Sequence, residues 1–141
     1  MSARSKARKR ALDVLYGADV REESINTSLL AEETRELADG KRANSWPYAK
    51  EIIEGVVAHG DEIDELIETY AQGWTLERMP AVDRNVLRLA TFEVLYVDDV
   101  PDAVAVSEAL NLVRDLSTDE SPAFVNGVLG NIVRDRDILT R

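Results

Sequence analysis

The chain has 141 residues, 45% of them apolar, which suits one domain or two small packed subdomains with a real core. It contains no cysteine, which excludes disulfides, thiolate metal sites and a cysteine nucleophile. Its net charge of −10, from 17 basic and 27 acidic residues, argues as a whole against nucleic acid.

The distribution of that charge argues the other way. Residues 1–10, MSARSKARKR, hold Arg4, Lys6, Arg8, Lys9 and Arg10 and no acid. Only 12 of the 17 bases are then left against all 27 acids, so the rest of the chain balances to −15. A compact cationic end on an acidic body is a stronger pointer to nucleic acid than the average is against it. No run of 18 apolar residues is present, so no membrane span is expected. Asp13 and Asp19 interrupt the only candidate for a secretory segment, and a cytoplasmic protein is the simplest expectation.

Helical periodicity organises the chain from the start. Arg4 to Val20 reads as an amphipathic helix with Ala7, Ala11, Leu15 and Ala18 on one line. Arg4 and Arg8 extend that line, so the stripe turns from apolar to cationic. Cations do not favour a helix N-terminus, so the cluster brings the helix no local benefit. It is either a solvated, frayed end or a phosphate-binding surface. Ile25 to Ala38 is a second helix, capped by Asn26 or Thr27, with Leu29, Leu30, Ala31 and Leu37 facing inward. Asp39 to Ser45 is a polar loop broken by Gly40, with Lys41 and Arg42 solvated.

Ser45 caps the next helix and Pro47 sits in its first turn. Ile52, Ile53, Val56 and Val57 are its core side. Gly60 breaks it and Asp61 caps a continuation that buries Ile63, Leu66, Ile67 and Tyr70. Asp61, Glu62, Asp64 and Glu65 crowd together, but the calcium-loop spacing is missing and a solvated face is expected. His59 is the only histidine, so it forms neither a zinc site nor half of a catalytic triad. Gly73 to Met79 joins the two halves, with Trp74, Leu76 and Met79 plugging the seam.

Met79 to Val97 is apolar almost all round, and only Arg84, Arg88 and Thr91 form a polar stripe. Such a helix belongs inside a bundle with one narrow edge in water. Its start, with Asp83 and Arg84, is expected at the surface. Pro101 opens a sixth helix with Val104, Val106, Leu110, Val113 and Leu116 in the core. Ser121 caps the last helix, and Phe124, Val125, Val128, Leu129, Ile132 and Val133 form its apolar stripe. Gly127 and Gly130 lie opposite, beside Asn126 and Asn131. An interior helical glycine costs about 1 kcal/mol against alanine, so something is expected to approach this backbone closely, either a neighbouring helix or a partner or RNA. The pattern predicts an all-α fold of about seven helices in two small packed bundles, residues 1–72 and 73–141.

No phosphate-cradling loop, dinucleotide fingerprint or metal-ligand spacing is present, and the carboxylates fall on polar faces. A binding or adaptor protein without cofactor or metal is expected rather than an enzyme.

Four segments, in order, resemble the NusB family of transcription antitermination factors: ARKRALDVLY (7–16), RMPAVDRNVLRLATFEVLY (78–96), VPDAVAVSEALNLVRDL (100–116) and SPAFVNGVLGNIV (121–133). The resemblance implies an all-α protein of two helical bundles. It implies binding to boxA, a short single-stranded RNA of ribosomal RNA leaders, together with the small-subunit ribosomal protein NusE. RNA polymerase and other Nus factors would be reached through that complex, and termination suppressed. By the same resemblance Arg4, Lys6, Arg8 and Lys9 meet the RNA, and the start of the last helix lies beside them. Phe124 there stacks on a base or belongs to the core, Asn126 bonds a base edge or backbone, and Glu120 limits affinity. Tyr16, Glu77, Arg78 and Asp83 fall on the implied NusE surface, with a half-buried core position the other reading of Tyr16. Some relatives self-associate, so a homodimer or a protein-only helical scaffold is the alternative to the RNA adaptor.

Overall fold

The computed structural model describes residues 2–39 and 44–140. The expected breaker Gly40 and the cations Lys41 and Arg42 lie outside the described residues. Within them there are seven α-helices and no strand: α1 Ala3–Val20, α2 Ile25–Asp39, α3 Trp46–Ala58, α4 Gly60–Tyr70, α5 Ala81–Tyr96, α6 Asp102–Leu116 and α7 Ser121–Leu139. A single 3-10 turn, Leu76–Arg78, leads into α5. No helix among the described residues is long and apolar enough to cross a membrane.

Helix α5 is the axis. It packs against α1, α3, α4, α6 and α7, and its Val86, Leu87, Leu89, Ala90, Phe92, Val94 and Leu95 are buried. Burial of a large aliphatic or aromatic side chain stabilises by roughly 1.5–3 kcal/mol, so this one helix carries a large share of the core energy. The apolar core is continuous from Ala7 on α1 to Ile132 on α7, and it passes through α5 without a gap at residue 73.

The polar stripe of α5 does not face water, contrary to expectation. Thr91 is fully buried, and Arg84 and Arg88 are roofed by Asp19 of α1 and Asp64 of α4. Asp83 is also buried rather than exposed. The α6–α7 connection folds over it, and the Ser117 and Ser121 hydroxyls donate to its two oxygens at 2.6 and 2.9 Å.

Several other expectations fail for reasons of position. Helix α2 lies at the edge of the molecule and buries only Ser28 and Leu29, so Leu30 and Leu37 stand 66% and 69% exposed and Ala31 is exposed too. Ser24, not Asn26 or Thr27, caps α2, accepting from the Thr27 N–H at 3.1 Å. Ser45 makes no side-chain cap bond on α3 and instead accepts from Arg10 at 3.3 Å. Helix α4 starts one residue before Asp61, which sits in its first turn rather than at the cap. Trp74 is 52% exposed instead of plugging the seam. Gln72 and Gly73, at φ 52° and 96°, swing the chain outward there, while Leu76 and Met79 remain buried.

Helix α6 buries Ala105, Ala109 and Val113, an i, i+4, i+8 line, and leaves Val104 and Leu116 exposed. Its small alanines let it lie close to α5 and α7. The true close approach of backbone to side chain is at Gly55 of α3, where an added Cβ would fall 2.0 Å from the Phe92 ring. Gly127 and Gly130 have nothing within 4 Å of such a Cβ, so no neighbouring helix explains them.

This contrast predicts opposite effects of one substitution. Gly55→Ala should destabilise by about 1–3 kcal/mol through overpacking. Gly127→Ala and Gly130→Ala should each stabilise by up to about 1 kcal/mol through helix propensity. Urea denaturation of the three variants checks both signs.

Candidate nucleic-acid interface

The cationic end is a well-formed helix rather than a frayed tail. Ser2 caps α1, accepting from the Ser5 N–H at 3.0 Å, and the chain is helical from Ala3. Its five cations then divide by where the helix turns them. Arg8 points inward and is 2% exposed. Its Nε donates to both oxygens of Glu93 on α5, at 2.8 and 3.0 Å, and its Nη1 lies 3.3 Å from Glu108 on α6. Burial works against the Arg8 charge, but the hydrogen bond to Glu93 and the attraction of Glu93 and Glu108 outweigh it and raise its pKa. Tyr48 of α3 donates to the same carboxylate at 2.5 Å. Burial and that bond push the Tyr48 phenol well above its ordinary range. Arg8 therefore ties α1 to α3, α5 and α6 and has no face left for a phosphate, contrary to expectation.

The other four cations lie nearer the surface. Arg4 forms a two-pronged pair with Asp99, at 3.0 and 3.3 Å, and its guanidinium sits 4.3 Å from the centre of the Tyr48 ring. Lys9 pairs with Asp13 one turn along α1, at 2.6 Å. Arg10 pairs with Glu36 of α2 and lies over the Trp46 ring. Lys6 is exposed and makes no ion pair among the described residues. Exposed pairs such as Arg4–Asp99 and Lys9–Asp13 are each worth little and exchange readily for another anion.

The second cluster is built at the other end of α5. Phe124, in the second turn of α7, is half-buried and meets Trp74 edge to face, with ring centres 6.5 Å apart. A cavity of about 390 Å³ opens beside this pair, walled by Met79, Pro80, Asp83 and Glu120. Asn126 is exposed on the next part of the helix, Glu120 and Arg78 are exposed around the opening, and Glu77 is exposed on the 3-10 turn before α5. Tyr16 stands on α1 with 39% of its surface exposed. Asp83 does not reach the surface, because its oxygens are held by Ser117 and Ser121.

The start of α7 therefore does not lie beside the basic patch. Arg8 touches Glu93 and the α7 start touches Asp83, ten residues apart on one helix, or roughly 15 Å along its axis. Any one ligand that meets both clusters has to span that length. The structure also brings in Tyr48, Glu93 and Asp99, which the sequence pattern did not single out, and Trp74, which it read only as a plug of the seam. The signal for Glu93 was present: a lone acid in the apolar run LATFEVLYV has to find a cation once buried.

Comparison with known proteins follows the same outline. The model of the NusB family matches residues 5–134. The chain belongs to the NusB family. It is 61% identical over 132 residues to the transcription antitermination protein NusB of Clavibacter sepedonicus, covering 94% of this chain and 96% of that one. NusB of T. maritima superposes with a TM-score of 0.82 at 32% identity, over 94% of this chain and 91% of that one. A NusB in a crystal structure of the antitermination factors NusB and NusE with double-stranded RNA superposes at 0.80, with 30% identity and coverage of 95% and 98%. In this NusB-family chain the cationic start of α1 lies toward one end of α5 and the Trp74–Phe124 pair toward the other.

At the N-terminal end of α5 Asp19 clamps the helix, accepting from Arg84 at 2.6 and 2.9 Å and from Asn85 at 2.8 Å. Burial raises the Asp19 pKa, but the bonds from Arg84 and Asn85 and the charges of Arg84 and Arg88 outweigh it, so it lies below its ordinary 3.8. A depressed carboxylate contributes stability that is fully present above the unfolded value and lost as pH falls through the folded one. Thermal stability should therefore drop below about pH 4, and Asp19→Asn should be less stable at neutral pH with a shallower acid limb. Melting curves from pH 7 to pH 2 on both proteins check this.

Proposed function

We propose that this chain is a transcription antitermination factor that acts as an RNA-binding adaptor. With the ribosomal protein NusE it binds boxA RNA in ribosomal RNA leader transcripts, and through that complex it helps RNA polymerase read through terminators. It carries no catalysis of its own and works in the cytoplasm. The observation that carries the reading is family membership along nearly the whole chain, joined to the match with a NusB bound to NusE and RNA.

The geometry supports a division of roles. Arg4, Lys6 and Lys9 are the cations of α1 placed to meet phosphates, and Arg8 holds the helix that presents them. Phe124, paired with Trp74, offers an aromatic face on which a splayed base can stack, and exposed Asn126 a hydrogen-bonding group beside it. Glu120 adds a negative charge at that opening and tempers affinity for RNA. Tyr16, Glu77 and Arg78 are the exposed positions offered to NusE, with Asp83 shaping the start of α5 beneath them. The acidic body complements a basic ribosomal protein and steers its approach.

Fluorescence anisotropy with a labelled single-stranded RNA from the ribosomal leader tests this, with and without NusE and against a scrambled RNA. Binding should be specific, tightened by NusE, and weaker as salt rises, with a slope of about −0.7 per phosphate neutralised. Joint neutralisation of Arg4, Lys6 and Lys9 should flatten that slope. No binding under any of these conditions would sink the reading in favour of a protein-only scaffold or a homodimer.

A further inference from the structure

The surface cation Arg4 is held in an arrangement that its own helix does not require. Both of its terminal nitrogens donate to Asp99, one to each oxygen, and its guanidinium plane is supported by the Tyr48 ring. Tyr48 is buried and anchored through its hydroxyl to Glu93, which is anchored in turn by Arg8. A chain of contacts thus runs from the core to the one guanidinium fork at the tip of α1. The partner at its end is different in kind. Asp99 lies in the connection between α5 and α6, is 70% exposed at its side chain, and its carboxylate makes no other hydrogen bond or ion pair among the described residues.

A guanidinium fork binds a carboxylate and a phosphate through the same two parallel N–H···O bonds. An exposed carboxylate bound there is weakly held, because water screens the pair. Resting on the reading of this chain as an RNA-binding adaptor, we propose that Asp99 is a built-in competitor for the phosphate subsite of Arg4. In the unbound protein it keeps the fork formed and neutralised. An RNA phosphate takes over the same two donors, and Asp99 turns back to solvent. The carboxylate sets how tightly, and with what salt dependence, the N-terminal patch binds RNA.

The experiment compares Asp99→Asn with Asp98→Asn in the full-length chain, using the labelled leader RNA at two salt concentrations. Asp98 is the exposed neighbour, so its variant makes the same charge change with no contact to Arg4. Asp99→Asn should tighten binding about two- to fivefold, the size of an exposed ion pair. Its salt slope should steepen by up to about 0.7, because the displaced carboxylate no longer takes up a cation. Asp98→Asn should change binding less. In an Arg4→Ala background, Asp99→Asn should have no more effect than Asp98→Asn, since the competition it relieves is gone.

The inference is overturned if Asp99→Asn binds no more tightly than Asp98→Asn, or if its effect survives Arg4→Ala. Weaker binding by Asp99→Asn would make Asp99 a support for Arg4 and not a rival to phosphate. The underlying reading fails separately, and takes the inference with it, if the wild-type chain binds no RNA or if Arg4→Ala leaves RNA binding unchanged.

Discussion

The pairing of Arg8 with Glu93 is the interaction on which the arrangement of the first helix depends. Both side chains are almost completely buried, and they join α1 to the middle of the fold across 85 positions of sequence. Two charges taken out of water are costly unless each finds its partner with good geometry. Here the carboxylate receives Arg8 through both oxygens and Tyr48 through one, and the guanidinium also has Glu108 nearby. A well-satisfied pair of this kind fixes register more than it adds stability: α1 cannot slide or rotate on α5 without leaving a charge alone in the core. The tip of α1, with Arg4, Lys6 and Lys9, is thereby held at one place on the surface.

The same logic recurs along α5. Arg84 and Arg88 meet Asp19 and Asp64, and Asp83 meets two hydroxyls of the α6–α7 connection. Helix α5 is therefore a scaffold with polar anchors along its length, each fastening a different neighbour. The basic patch sits near its C-terminal end and the Trp74–Phe124 pair near its N-terminal end. For a member of the NusB family this spacing matters, because a strand of RNA that met both would be stretched along the molecule, its phosphates at one end and a stacked base at the other.

Much of the fold was legible in the sequence because helical periodicity and proline positions are local signals. All seven helices and the turn at Gly73 follow from spacing alone, and so does a break between α3 and α4, although it falls at His59 and Gly60 already belongs to α4. The family resemblance rested on residues that keep their order through the chain. What was not legible depends on contacts between distant parts. The sequence shows Arg8 among five cations and gives no sign that α1 turns it, and not Arg4, toward Glu93. Leu30 and Leu37 read as core by periodicity, but among the described residues no element covers α2 on that side. Gly127 and Gly130 suggested a crowded backbone and have open space, whereas Gly55, packed under Phe92, gave no such signal. Trp74 read as a plug because it is large and apolar, and two residues with positive φ carry it outward instead.

The central claim is that Arg8 serves the fold through Glu93 while its neighbours serve the surface. A double-mutant cycle on unfolding free energy tests it most directly, with Arg8→Met, Glu93→Gln and the double variant. Arg8→Met alone should cost about 3–5 kcal/mol, because it leaves a carboxylate buried without its cation. Adding Glu93→Gln, which keeps an acceptor for Tyr48, should recover about 2 kcal/mol or more of that loss. Additive effects, with a coupling within about 0.5 kcal/mol of zero, would show that the two charges do not depend on each other and would contradict the account.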